Sequence, residues 1–197
     1  MKKVTICIFL IVFGKLFAQT SYPQGCYMSL DELISKSPSE HYDLSIEERS
    51  SSDIQFNGGN DFKLISEDNS ISKRVLKREI WAISDGNTFY INGLLHDSQK
   101  WYSKVEDEGK YLIFKGAVPS SEAMAAGLLG GAIGGAMISD KRYIYVMDSK
   151  TGETSLVKKK NIHEVLSDYP DILSEYDTEE DKESPDILLK YVKVLNR

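Results

Sequence analysis

Hydrophobic and polar positions alternate along the middle of this chain and take up a helical rhythm towards its C-terminal end. Residues 80–83 (IWAI) and 88–91 (TFYI) flank Ser84-Asp85-Gly86-Asn87, whose Asp-Gly pair signals a tight hairpin. Residues 101–105 and 111–114 flank Glu106-Asp107-Glu108-Gly109 and predict a second hairpin. Residues 143–147 and 154–157 flank 148–153 and predict a third. Aromatic and β-branched side chains fill these runs, as suits a pleated, half-buried surface. Three hairpins in succession predict an antiparallel meander within an α+β fold, open or curled into a small barrel.

The flanks read differently. Ser29-Leu30-Asp31-Glu32 is a capping box that starts a short helix ending before Pro38. Residues 39–60 are polar, with at most one strand near 54–56, and 62–65 offers another. After Lys158-Lys159-Lys160, Asn161 is expected to cap a helix carrying Ile162, Val165 and Leu166. Pro170 is a first-turn proline for a second helix, and Ser184-Pro185 opens a last one with Ile187, Leu188, Tyr191, Val192 and Leu195 in register. Residues 177–183 read as an acidic, exposed link. The chain divides into a leader at 1–18, an N-terminal segment at 19–60, a β body at 61–157 and a C-terminal helical region at 158–197. The β body carries a glycine-rich helical insertion at 117–139.

That insertion breaks the alternation most sharply. Residues 123–138 (AMAAGLLGGAIGGAMI) carry no charge and hold five of the 14 glycines. At about 100° per residue, Gly127, Gly130, Gly131, Gly134 and Gly135 share an arc of roughly 140°, with Leu129, Ile133 and Met137 mostly opposite. The pattern predicts one helix of about 24 Å with a smooth face that another backbone can approach closely. Five interior glycines cost about 5 kcal/mol against alanine, so this helix needs a surface, either its own sheet or a partner. If the second and third hairpins share a sheet, both ends of the insertion return to it. The linker at residues 116–122 reaches at most about 24 Å, which excludes a crossing of a hydrocarbon core of about 30 Å.

Composition narrows the function. Lys2 and Lys3, an apolar run at 4–13 and Ala18 form a secretory signal peptide, cleaved after Ala18. Cleavage removes Lys2, Lys3 and Lys15 from the 24 basic residues and none of the 30 acidic ones, moving the net charge from −6 to −9. Such a surface opposes nucleic-acid binding. Cys7 also leaves, so Cys26 has no internal disulfide partner and reads as a small packing residue. Lipidation of Cys26 is not expected, because Tyr22-Pro23-Gln24-Gly25 lacks the aliphatic residue that such a signal places three positions upstream.

No reactive constellation stands out. His41, His96 and His163 are far apart, lack metal-ligand spacing and read as surface or loop residues. The glycine run has neither a phosphate-loop Lys-Ser/Thr pair nor a dinucleotide fingerprint. Residues 148–153 suggest a calcium loop, but Lys150 occupies a ligand position and a turn is the simpler reading. Residues 177–181 read as a solvated linker, and no serine sits in a nucleophile elbow. The expectation is no enzyme, no metal and no cofactor.

A wider likeness comes from several segments together: the Phe17-Ala18-Gln19 leader end, residues 25–32 (GCYMSLDE), 80–91 (IWAISDGNTFYI), 143–152 (YIYVMDSKTG) and 165–173 (VLSDYPDIL). On these the chain resembles uncharacterised secreted proteins of Bacteroidota. The resemblance implies a secreted or envelope location (periplasmic, outer-membrane-associated or extracellular) and an α+β body. It implies no activity.

The leading expectation is a non-enzymatic interaction or structural protein whose glycine-zipper helix packs on its own sheet, on a second copy or on an envelope partner. The contact residues are Gly127, Gly130, Gly131, Gly134 and Gly135 with Leu128, Leu129, Ile133 and Met137. One alternative makes the helix a cover over an apolar ligand cavity. The other is peripheral membrane contact through the leucines, Ile133 and Met137, with Lys141 and Arg142 close behind.

Overall fold

The structure, a computed structural model, describes residues 20–66, 70–96 and 98–197; the predicted leader and Cys7 lie outside them. The chain runs β1 (Gly25–Tyr27), α1 (Leu30–Ser35), β2 (Ser45–Glu48), α2 (Ser51–Asn57) and β3 (Phe62–Ile65). A π-helical turn (Val75–Glu79) leads to β4 (Ala82–Ser84) and β5 (Phe89–Asn92). Then come β6 (Tyr102–Glu108), β7 (Tyr111–Ala117), α3 (Ser120–Ala136), β8 (Arg142–Asp148) and β9 (Thr154–Val157). The helices α4 (Ile162–Val165), α5 (Pro170–Tyr176) and α6 (Pro185–Val192) follow, the last continued by a 3-10 turn (Lys193–Asn196).

The strands form one open antiparallel sheet in the order β1-β4-β5-β6-β7-β8-β9, with β2 on β3 and β3 joined to β6 through Phe62 and Tyr102. The meander is therefore open and not a barrel. The three predicted hairpins are its spine, and β6 runs through Glu108, past the expected turn, with a bulge between Val105 and Asp107.

Period-two burial sorts the core. On β7 and β8, Leu112, Phe114, Tyr145 and Met147 face Tyr22, Tyr27, Leu33 and Phe89 on one side of the sheet. Ile113, Ile144 and Val146 face the other side, where Leu166, Tyr176, Leu188, Tyr191 and Val192 of the C-terminal helices cover them. Burial on both faces explains the nearly unbroken apolar runs of these strands. A third cluster joins Cys26, Leu64, Leu76, Ile80, Ile83 and Tyr102.

The π-helical turn leaves backbone carbonyls inside the protein, and two side chains satisfy them. The Tyr102 hydroxyl donates to Leu76 O at 2.8 Å, and the Asn92 amide donates to Ile80 O at 2.8 Å and Lys77 O at 3.1 Å. Tyr102→Phe strands the Leu76 carbonyl and is expected to cost about 1–3 kcal/mol in urea unfolding, with an unchanged denaturant slope.

Two local expectations are corrected. Residues 54–56 lie in α2, not a strand: the Ser50 hydroxyl accepts from Asp53 N at 3.2 Å, and Arg49 pairs with Asp53 at 2.7 Å. Asn161 opens α4 without capping it, because its Oδ1 accepts from Lys158 N at 2.7 Å. The link at 177–183 is mostly exposed, as expected, and is also tied down at Glu179, which accepts from the Tyr191 hydroxyl and from Lys190, both at 2.7 Å.

Candidate functional site

The glycine-rich insertion is the connection between β7 and β8. Ala117 and Arg142 are paired across those strands, so the excursion leaves and re-enters the sheet at adjacent points. A straight helix cannot do this from the short approach available, since α3 begins directly after Pro119. The chain reverses instead at Gly131, whose φ of 58° and ψ of −146° break α3 into two legs. That conformation is closed to side chains with a Cβ, so a glycine sits at the bend. The single helix predicted for residues 123–138 is thereby corrected to a helical hairpin, which we call the arm.

The legs touch at a second glycine. A Cβ on Gly134 would lie 2.4 Å from the Ala126 carbonyl oxygen, so the absence of a side chain lets the return leg close on the outgoing one. At Gly127, Gly131 and Gly135 a Cβ would meet nothing within 4 Å. Leu128 is 81% exposed, Leu129 91%, Met137 71% and Met124, which the sequence reading passed over, 67%. The surroundings of Gly130 and the side chain of Ile133 lie outside what is described. Among the described residues, α3 makes only slight contact with the other elements, chiefly at its start, where Glu122 pairs with Lys158 and the Ser120 hydroxyl donates to Ser98 O at 2.6 Å.

The root of the arm, by contrast, is tightly held. Asn60 sits in the fork where β3 and β7 part from the shared edge of β6. Its Oδ1 accepts from Ala117 N at 2.6 Å and from the Ser98 hydroxyl at 3.3 Å. Its Nδ2 donates into a cluster of carbonyls, Gln99 O at 2.8 Å and Lys100 O and Trp101 O at 3.3 Å. The hydroxyls of Tyr145 and Ser98 both reach Ala117 O, and Gln99 binds Val118 O. At the exit, Arg142 clamps the Asp61 carboxylate and donates to Ser139 O at 3.1 Å.

A groove of about 930 Å³ opens between the return leg and the start of α6. Met137, Tyr143, Val157 and Leu188 line it, with Lys115, Lys141, Arg142, Lys158, Lys159 and Lys160 around them. The groove that the arm borders is thus partly apolar and net positive, with Asp140, Glu183 and Asp186 set among its six cations.

The remaining groups suit packing more than chemistry. Cys26 and His41 line a small groove of about 320 Å³. Burial pushes the Cys26 thiol up to about 11, so it is not a thiolate near neutrality. His96 lies in a turn, within the surface-or-loop expectation, but is buried there, and burial drives its pKa down to about 4. The loop at 148–153 is a turn in which Asp148 Oδ1 accepts from Lys150 N and Thr151 N. No group of three or more metal-ligating side chains is found among the described residues. No helix among them is long and apolar enough to cross a membrane.

No curated protein and no solved structure matches the chain. A family match covers residues 25–197, from the first strand to the last residue, and so takes in the arm, its root and the basic groove. The chain belongs to the family of unknown function DUF6563.

Proposed function

We propose that this is a non-enzymatic secreted or cell-envelope protein that makes contact with its partner through the arm. The observation that carries the reading is the contrast between arm and body. The sheet buries its apolar residues on both faces, whereas the arm holds Met124, Leu128, Leu129 and Met137 in solvent on a charge-free hairpin. Large apolar side chains gathered in solvent on one charge-free element favour an interaction site. The firm root favours the same reading, because it presents the arm in one direction. Export follows from the leader pattern at 1–18 and from the likeness to secreted proteins of Bacteroidota.

The test replaces residues 123–138 by a short Gly-Ser loop. Since none of the arm's described residues belongs to the three core clusters, the replaced protein is expected to melt within about 4 °C of the parent and to run as a monomer. The parent is expected to associate, with itself or with lipid, in light scattering and flotation. Unfolding of the replaced protein, or identical behaviour of the two, overturns the reading.

A further inference from the structure

The groove at the root of the arm gathers positive charge in an acidic protein. Its lining takes six of the 24 Lys and Arg residues and three of the 30 Asp and Glu residues, Asp140, Glu183 and Asp186. It stays net positive when Asp61 and Glu122, which reach its cations from outside, are counted, although the chain carries −6. Lys115, Lys158 and Lys159 hold Asp186, Glu122 and Glu183. Exposed pairs of this kind contribute little and give way to a competing anion. Lys141 and Lys160 are exposed and carry no ion pair among the described residues.

The same groove contains Met137, so cations abut the flank of the arm, and Leu128 and Leu129 lie further out beside the bend. Moving outwards from the body, the surface passes from positive to apolar. We propose that this side of the protein docks on an anionic lipid bilayer, with headgroup phosphates in the groove and the arm tip among the acyl chains. The proposal rests on reading the arm as the contact element. Charge complementarity selects a bilayer over a second copy of this chain. A two-fold contact centred on the arm sets one basic groove against another, whereas a bilayer offers phosphate and hydrocarbon in the matching order.

The test floats the purified protein with phosphatidylcholine vesicles and with vesicles that also contain phosphatidylglycerol. Partition onto the anionic vesicles is expected to be about tenfold stronger. It should fall to the phosphatidylcholine level in the double variant Lys141→Glu, Lys160→Glu, and be lost from both vesicle types in Leu128→Ser, Leu129→Ser. All four positions are exposed, so the fold does not depend on them. Soluble glycerol phosphate should leave the flotation intact; full competition assigns the groove to a free phosphate compound and overturns bilayer docking. Equal flotation on the two vesicle types, or flotation that survives the lysine substitutions, overturns it too. Absence of flotation combined with arm-dependent self-association removes the bilayer and leaves the arm as the contact element. If the loop-replaced protein matches the parent in every assay, both readings fall.

Discussion

Asn60→Asp is expected to cost the fold about 3–5 kcal/mol near neutral pH, although the two side chains have the same shape. One oxygen of the introduced carboxylate keeps the bonds from Ala117 N and Ser98. The other replaces a donor with an acceptor facing Gln99 O, Lys100 O and Trp101 O, and every one of those contacts turns repulsive. Arg49 offers no rescue, because it is already engaged with Asp53 and with the backbone carbonyl of Asn60. Protonation restores one donor, so the folded state holds the introduced carboxyl above its unfolded pKa. The deficit is therefore fully present above that raised pKa and shrinks as pH falls through it. Asn60→Ala has no such recovery, and urea unfolding of both variants at neutral and acidic pH separates the two. Equal, pH-independent losses sink the argument. Gly93 is part of the same device: a Cβ there would lie 2.0 Å from the Asn60 Nδ2, so this position must be bare.

None of that hub shows in the sequence, where Asn60 is one polar residue among many after Gly58-Gly59. What the sequence did carry was local. The capping box is real: the Ser29 hydroxyl accepts from Glu32 N at 3.2 Å, though the Glu32 carboxylate reaches Met28 N in place of Ser29 N. Pro170 and Pro185 open α5 and α6 as expected, and all three hairpins form. Where pairing is distant, the signal was missing. β1 has three residues and is made a strand by β4, more than fifty positions later. β2 reads Ser-Ile-Glu-Glu and gains its place only through β3. The error at 54–56 had a remedy in the sequence: Ser50-Ser51-Ser52-Asp53 places a carboxylate three residues after a helix-starting serine, which outweighs the spacing of Ile54 and Phe56.

The arm was half legible for the same physical reason. Its composition gave a helix, and the return of both ends to one sheet excluded a membrane span. Helical geometry alone could not reveal the bend, because glycine is as compatible with a smooth helix face as with a reversal. The Ala117–Arg142 pairing decides between them by forcing the chain back within one excursion. The groove was less legible still, since Lys115, Lys141 and Lys158 come from three strands or strand ends whose adjacency depends on the sheet order.

Acidification should expose the other concealed polar group. His96 is 3% exposed, its Nε2 has no hydrogen-bond partner among the described residues, and the ring meets Trp81 edge-on with centroids 5.4 Å apart. No group among the described residues stabilises an imidazolium, and burial takes the pKa from 6.5 down to about 4. Above pH 6.5 both folded and unfolded chains are neutral at this position and it leaves stability unaffected by pH. Between 6.5 and about 4 the unfolded chain takes up a proton that the folded one refuses, so stability falls as pH falls. The full effect is about 3 kcal/mol, and below the folded pKa it grows no further. His96→Phe keeps a ring against Trp81 and removes the titration. Urea unfolding of parent and variant across this window isolates the term from the carboxylates, which titrate in both. The parent should lose about 3 kcal/mol more than the variant on going from neutral pH to the folded pKa. Parallel curves mean that the cavity around His96 admits water or a counter-charge on protonation. The interior of the sheet would then be open where the structure has it closed.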